Sequence, residues 1–187
     1  MAVIDDLMDD ARRRMDKSIE STKHEFNSVR TGRASAALLD RVHVNYYGTK
    51  TPLVQLASVG VPEPRLLTIT PYDKNAIRDI ERGILESDLG LTPSNDGKLI
   101  RLPIPQLTAE RRKELVKVVR QRAEDGRVAV RNVRRDIIHH MKESEKKGEV
   151  SWDDLHRAED QVQKLTDEHV KQIDELLKHK EAEILEV

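Results

Sequence analysis

Three long stretches of this sequence place apolar residues three or four positions apart, which is the spacing of one face of an α-helix. A helix with such a stripe is marginal by itself in water, because its apolar face has to be buried against another element. A three-helix bundle is the simplest arrangement that buries all three stripes. The stripes run through Ile4, Met8, Ala11, Met15, Ile19, Thr22, Phe26 and Val29; through Leu115, Val119, Ala123, Val130, Val133, Ile137 and Met141; and through Leu155, Ala158, Val162, Leu165, Ile173, Leu176 and Ile184.

The ends of these helices carry recognisable signals. Gly32 ends the first helix, and Thr108 is a good N-cap for the second, which runs toward Gly148. Ser151, with Asp154 three residues later, has the pattern of a capping box and predicts the start of the third helix. The second helix would be roughly 40 residues long and span about 60 Å.

The segment 31–106 interrupts this helical pattern. Short runs rich in β-branched and aromatic residues replace the helical period, and such runs are typical of strands. Ser94-Asn95-Asp96-Gly97 indicates a tight turn. One helix is expected between Asp73 and Gly90, with Ile77, Ile80, Ile84 and Leu85 on its buried face. The predicted strands are 42–46, 49–53, 57–61, 65–70 and 99–102.

The predicted fold class is therefore α+β. Residues 1–30 and 107–187 form a long three-helix bundle, and residues 31–106 form a small β/α/β domain inserted into it. Two connecting segments, 30–34 and 102–106, join the domains. Thr31 and Gly32 loosen one connection, and Pro103 and Pro105 stiffen the other, which favours a hinge of limited arc. A fixed packing of the two domains is the alternative.

Composition excludes several classes of protein. Charged residues make up 36% of the chain and aromatic residues 3%, which favours long exposed helices over a thick sheet sandwich. The absence of cysteine excludes disulfides, thiolate nucleophiles and cysteine-ligated zinc, and it agrees with a reducing compartment. No apolar run reaches membrane-spanning length, and the acidic residues 1–10 resemble no targeting signal. We expect a cytoplasmic protein without membrane contact.

Charge is divided unevenly between the last two helices. Segment 107–149 has 13 Lys and Arg against 8 Asp and Glu, whereas segment 150–187 has 5 against 11. Five basic residues of the second helix fall within an arc of about 60° on a helical wheel. This basic row consists of Lys113, Arg120, Arg127, Arg131 and Arg134. It indicates either a phosphate-binding face, for which the forked guanidinium is well suited, or a set of ion-pair partners for the acidic third helix.

The few aromatic residues limit how such a row could recognise nucleic acid. Phe26 and Trp152 are better explained by packing in the bundle core and at a helix start than by base stacking. Recognition of structured RNA through its backbone and shape is therefore expected, with an affinity that falls steeply with salt.

No catalytic constellation is visible. The glycines fit neither a Walker A loop nor a dinucleotide fingerprint, so no cofactor is expected. His139, His140 and Glu143 lie within one turn of each other, but a bundle metal centre needs further ligands on neighbouring helices. Surface histidines are the preferred interpretation. We expect a protein that is not an enzyme, holds no metal and takes no small-molecule substrate.

Several motifs, in this order and spacing, together resemble the bacterial ribosome recycling factors over essentially the whole chain. They are Arg30-Thr31-Gly32-Arg33-Ala34, Pro93-Ser94-Asn95-Asp96-Gly97, Ile100-Arg101-Leu102-Pro103, Leu107-Thr108 with Glu110-Arg111-Arg112-Lys113-Glu114-Leu115, Arg131-Asn132-Val133-Arg134-Arg135-Asp136 and Gln163-Lys164-Leu165-Thr166-Asp167. The matching positions imply that Arg30, Arg33, Arg131 and Arg134 contact the ribosome.

The resemblance also implies a function and partners. Such a protein acts after termination, together with elongation factor G and its GTP hydrolysis, to part the ribosomal subunits. Its bundle lies on large-subunit RNA, its inserted domain moves, and its outline is L-shaped. Apart from the resemblance, a helical adaptor that pairs with a partner helix or a second copy is the alternative, and an enzyme of unknown type is more remote. A three-helix bundle closes its own core, so we expect a monomer.

Overall fold

The computed structural model describes residues 2–186, which form two compact units. One unit comprises the residues up to Thr31 and from Thr108 onward, and the other comprises Gly32–Leu107. The first unit contains three long helices: α1 (Ala2–Asn27), α4 (Ala109–Lys146) and α5 (Trp152–Leu185). The second contains the shorter helices α2 (Leu53–Leu56) and α3 (Ile77–Glu86) and six strands. The strands are β1 (His43–Tyr46), β2 (Thr49–Pro52), β3 (Ala57–Glu63), β4 (Leu66–Pro71), β5 (Ser94–Asn95) and β6 (Ile100–Pro103).

The three long helices pack along their predicted apolar stripes. Phe26 is buried as expected, and so is every predicted stripe residue of α4. Ser151 caps α5 by accepting a hydrogen bond from the backbone N–H of Asp154 at 3.1 Å, which confirms the predicted helix start. Thr108 caps α4 in the same way, through the N–H of Arg111. The α+β class, with a three-helix bundle, is thus confirmed.

Contacts between the long helices define their directions. Arg14 of α1 binds Asp136 of α4 at 2.6 Å, and Lys142 of α4 lies 3.6 Å from Glu159 of α5. Together with the pairs nearer the other end of α4, these contacts make α4 antiparallel to both neighbours. His169 of α5 is buried, and its Nε2 lies 2.7 Å from Oδ1 of Asp16 on α1. A polar link from a buried histidine to an exposed carboxylate therefore joins the two parallel helices.

The inserted unit contains two antiparallel sheets. Strands β1 and β2 form a hairpin, and the other four strands are ordered β3-β4-β6-β5. Leu67 and Ile69 of β4 and Ile100 and Leu102 of β6 are fully buried in its core, together with Ile80 and other residues of α3.

Four details of the inserted unit differ from the sequence-based expectations. Leu85 is 61% exposed, because it is displaced by about 100° from Ile84 around α3 and so leaves the buried face. The second predicted strand stops at Pro52, and Leu53 starts the one-turn helix α2. The helix expected from Asp73 begins as a separate 3₁₀ turn before α3, and α3 ends at Glu86, well before Gly90.

The fourth difference concerns the turn expected at residues 94–97. Ser94 and Asn95 instead form the short strand β5, paired with Arg101 and Ile100. The chain reverses direction just after them, where Oδ1 of Asp96 accepts hydrogen bonds from the N–H groups of residues 98 and 99 at 2.9 and 3.0 Å. The turn is displaced because this carboxylate satisfies the backbone donors two and three residues further along.

Candidate RNA-binding face

The basic row lies along α4 on the side that faces α5. The row lies between the buried apolar stripe and the solvent-exposed surface of α4, so its five members differ in exposure and in partners. Lys113 and Arg120 are exposed, whereas Arg127, Arg131 and Arg134 are partly buried. Whether each residue can bind phosphate depends on how far its charge is balanced within the bundle.

Two members of the row form ion pairs with α5. Nε of Arg120 lies 2.5 Å from Oε1 of Glu181, and Nε of Arg127 donates to Oδ1 of Asp174 at 2.8 Å. Arg127 also donates to Glu124 at 3.0 Å, and its side chain is only 19% exposed. Burial acts to lower the pKa of Arg127, but the hydrogen bonds to the two carboxylates outweigh it and hold that pKa above its ordinary value. Arg127 therefore forms its ion pairs within the bundle, as the ion-pair interpretation of the row predicts for this residue.

Arg131 and Arg134 are held much more loosely. Nη1 of Arg131 lies 3.5 Å from Glu124, a carboxylate that also binds Arg127 at shorter distance. Nη1 of Arg134 donates to the amide oxygen of Gln163 at 3.1 Å, which is a neutral partner. The charges of these two arginines are thus the least balanced among the four arginines of the row.

Lys113, Arg30 and Arg33 complete the predicted contact residues. Lys113 makes no hydrogen bond or ion pair within residues 2–186 and is exposed. Arg30 is exposed directly after the buried Val29, and Arg33 is exposed at the start of the inserted unit. The two residues belong to different units, and each lies in the connection that follows α1.

Ion pairs between α1 and the opposite flank of α4 balance the charge of arginines on both helices. Arg122 forms an ion pair with Glu25 and also donates to the Ser28 hydroxyl at 2.9 Å. Arg14 forms the pair with Asp136 described above and lies 3.5 Å from Asp10. Both arginines at this flank therefore have a close acidic partner, unlike Arg134.

The predicted hinge residues lie in and beside the connections. Thr31 and Gly32 lie between α1 and the inserted unit, and Pro105 lies between β6 and α4. Pro103 is the last residue of β6 and is paired with Leu66, so it belongs to the sheet.

The histidines of α4 are surface residues. Nε2 of His139 lies 3.4 Å from Glu143, and His140 lies 3.6 Å from both Glu143 and Asp136. Within the part of the chain that the structure describes, no three His, Cys, Asp or Glu side chains are arranged to hold a metal ion. The same residues contain no helix long and apolar enough to span a membrane.

Three aromatic side chains of the protein are largely exposed. Trp152 is 64% exposed at the start of α5, with its ring 4.0 Å from that of His156, so the expected packing at the helix start is wrong. The buried apolar residues at this helix start are Val150 and Leu155. Tyr47 and Tyr72 of the inserted unit are 78% and 73% exposed.

The acidic and amide partners of the row were not identified from the sequence. The sequence pattern that could have identified the acidic partners is a matching spacing of seven residues on the two helices. Arg120 binds Glu181, and Arg127, seven residues later on α4, binds Asp174, seven residues earlier on α5. This spacing becomes informative only when the two helices are known to be antiparallel and their register is known.

Comparisons with known proteins agree with this architecture. Residues 22–185 match the family model described as ribosome recycling factor. The ribosome-recycling factor of Rubrobacter xylanophilus is 58% identical over 180 residues, which cover 96% of this chain and 97% of that protein. The ribosome-recycling factor of Shouchella clausii is 59% identical over 178 residues, 95% of this chain and 96% of that protein.

Two solved structures are similar along almost the whole length. A solution structure of the ribosome recycling factor has a TM-score of 0.74 and 41% sequence identity, and 98% of each chain is covered. The Thermus thermophilus ribosome recycling factor, in models with Escherichia coli elongation factor G bound to the post-termination complex, has a TM-score of 0.63 and 46% identity. It covers 98% of this chain and 99% of that one. The chain belongs to the ribosome recycling factor family.

Proposed function

We propose that this protein, together with elongation factor G and GTP hydrolysis, splits post-termination ribosomes into subunits and so frees them for new rounds of translation. Membership of the ribosome recycling factor family, over nearly the full length of the chain, carries this proposal. The solved relative in complex with elongation factor G on the post-termination complex supports the choice of partner. The protein itself catalyses no reaction in this account and acts in the cytoplasm as a monomer.

The surface proposed to hold the ribosome is the basic row of α4 together with Arg30 and Arg33. Its RNA contacts are assigned mainly to Lys113, Arg131 and Arg134, with Arg120 in support. Lys113 has no acidic partner within residues 2–186, and Arg131 and Arg134 are the least balanced arginines of the row. Phosphate oxygens of large-subunit RNA are suitable acceptors for such groups, because the charge-assisted bond is strong and can be bidentate with arginine.

The movement proposed for the inserted unit depends on the two connections. Ala34 donates its N–H to the carbonyl of Pro64 at 2.7 Å, and Ile104 donates to the carbonyl of Arg65 at 2.8 Å. Both connections are thus tied to one turn of the inserted unit, and Thr108 fixes the other end of one connection at the start of α4. Residues 30–33 and 105–107 remain as the segments in which backbone rotation costs least. We propose that they form the hinge.

Subunit splitting tests the proposal directly. Post-termination ribosomes are incubated with this protein, elongation factor G and GTP, and light scattering or sucrose gradients measure the separated subunits. Splitting is expected only when all three components are present, and a non-hydrolysable GTP analogue is expected to abolish it. Splitting no greater than with elongation factor G and GTP alone would overturn the proposed function.

A helical adaptor remains the second candidate, because three amphipathic helices can also serve a partner helix. Sedimentation distinguishes the two. A concentration-independent monomer is expected here, since most apolar residues of the three stripes are buried within the bundle. Self-association through the bundle would favour the adaptor.

A further inference from the structure

We propose that Gln163 positions Arg134 for RNA binding by holding its guanidinium with a neutral group, which fixes the side chain without cancelling its charge. The inference rests on the proposed function and names a residue outside the basic row on which that function depends. It is carried by the register of α4 against α5 and by the hydrogen bonds around Gln163.

The register predicts an ion pair at Arg134 that does not form. Each step of seven residues along α4 is matched by a step of seven in the opposite direction along α5, so that Arg120 binds Glu181 and Arg127 binds Asp174. The next step brings Arg134 to the level of Asp167. A carboxylate is therefore available at this level of the bundle, as it is at the two levels before it.

Gln163 intervenes between these two charges. Its amide oxygen accepts a hydrogen bond from Nη1 of Arg134 at 3.1 Å, and its amide nitrogen donates to Oδ1 of Asp167 at 2.9 Å. Asp167 lies one helical turn beyond Gln163 and so fixes the orientation of the amide. Asp167 therefore orients the amide of Gln163, and this amide in turn holds the guanidinium of Arg134.

This arrangement leaves most of the guanidinium available. Arginine has five N–H donors, and Nη1 of Arg134 supplies the one hydrogen bond that the side chain makes within residues 2–186. Holding the side chain in one orientation reduces the conformational entropy lost on binding. Arg127, bound by two carboxylates, shows the opposite arrangement, in which the donors and the charge are both used within the bundle.

Two substitutions of Gln163 separate orientation from charge. Gln163→Glu supplies a carboxylate that pairs with Arg134, so ribosome affinity should fall and the slope of log affinity against log salt should decrease by about 1, as for Arg134→Ala. Gln163→Leu, made together with Asp167→Asn so that no carboxylate replaces the amide, frees the arginine but keeps its charge. Affinity should then fall about fivefold with an unchanged slope, which corresponds to the loss of one hydrogen bond of about 1 kcal/mol.

The controls are matched in chemistry. Asp167→Asn keeps an acceptor for the Gln163 amide and should bind ribosomes as the wild type does. Gln172, also exposed on α5, makes no hydrogen bond or ion pair in the described part of the chain, so Gln172→Glu tests the effect of an added charge alone. Circular dichroism and thermal unfolding verify that each variant is folded.

The experiment measures binding to purified ribosomes over a range of salt concentrations. If Arg134→Ala weakens binding but both Gln163 variants bind as the wild type, the positioning role is overturned and the proposed function stands. If Gln172→Glu has the same effect as Gln163→Glu, the positioning role is likewise overturned, because the effect is one of general charge. If Arg134→Ala changes neither the ribosome affinity nor its salt dependence, both the proposed RNA-binding role of Arg134 and the positioning role of Gln163 are overturned.

Discussion

Gly126 lies in the middle of α4, close to Thr22 of α1. A Cβ atom at this position would collide with Oγ1 of Thr22 and lie 3.3 Å from Cδ1 of Ile173 on α5. Thr22 cannot turn away freely, because its hydroxyl donates a hydrogen bond to the carbonyl of Ser18 at 2.9 Å. A glycine is costly inside a helix, but here it lets three helices meet.

Gly126→Ala is therefore expected to destabilise the bundle. Overpacking costs about 1–3 kcal/mol, and the better helix propensity of alanine returns up to about 1 kcal/mol, so the free energy of unfolding should fall by about 1–2 kcal/mol. Urea unfolding measures this change. In a Thr22→Ala background the collision is removed, and the same substitution should be neutral or stabilising. A loss of equal size in both backgrounds would show that contact with Thr22 is not the cause.

At the scale of the element, Arg14 and Asp136 join α1 to α4. Nη1 of Arg14 donates to Oδ2 of Asp136 at 2.6 Å, and this hydrogen bond lowers the pKa of Asp136 below its ordinary value of 3.8. The folded protein therefore holds the ionised carboxylate more strongly than the unfolded chain does. The contribution of the pair to stability is complete above the pKa of the unfolded chain and disappears as the pH falls through the lower pKa of the folded protein.

Asp136→Asn should make this dependence visible. Near neutral pH the variant should unfold at lower urea concentration than the wild type, because the amide retains no charge for Arg14. As the pH falls through the lowered pKa of Asp136, the two proteins should approach each other, since Asp136 then becomes protonated in the wild type as well. Unfolding midpoints over a pH series provide the measurement. A difference between the proteins that stays constant to low pH would contradict an ionic origin.

The long elements could be predicted from the sequence because they carry redundant signals. A stripe of seven or eight apolar residues and a cap such as Ser151 both point to the same helix. The four-residue helix α2 and the two-residue strand β5 were missed because each is too short for a periodic pattern, and pairing with neighbouring elements decides its structure.

The candidate site was predicted less completely than the fold. Helical spacing placed all five basic residues on one face of α4, but it could not assign a partner to each. The difference between Arg127, bound by two carboxylates, and Arg134, bound by an amide, depends on the register of α5. Register arises from the packing of whole stripes and from the turn between the helices, so the periodicity of one helix alone does not reveal it.

At the scale of the whole molecule, the two units are joined only by two short connections. In the connection after α1, Gly32 has a φ of +77°, a conformation that other residues rarely adopt. A Cβ atom at Gly32 would also lie 3.2 Å from Cγ of Leu107, which belongs to the connection before α4. The proposed hinge predicts a range of angles between the units. Small-angle scattering should require an ensemble of conformers, whereas a fit by one rigid arrangement in every buffer would contradict the hinge.

The least balanced arginines of the basic row, Arg131 and Arg134, are proposed to hold ribosomal RNA through its phosphates. The most direct test compares the double variant Arg131→Ala, Arg134→Ala with Arg122→Ala, which removes an arginine of the same helix already paired with Glu25. Ribosome affinity is measured over a range of salt concentrations. The double variant should bind more weakly, with a log-log salt slope lower by about 2, while Arg122→Ala keeps the wild-type slope. Unchanged affinity and slope in the folded double variant would contradict the claim.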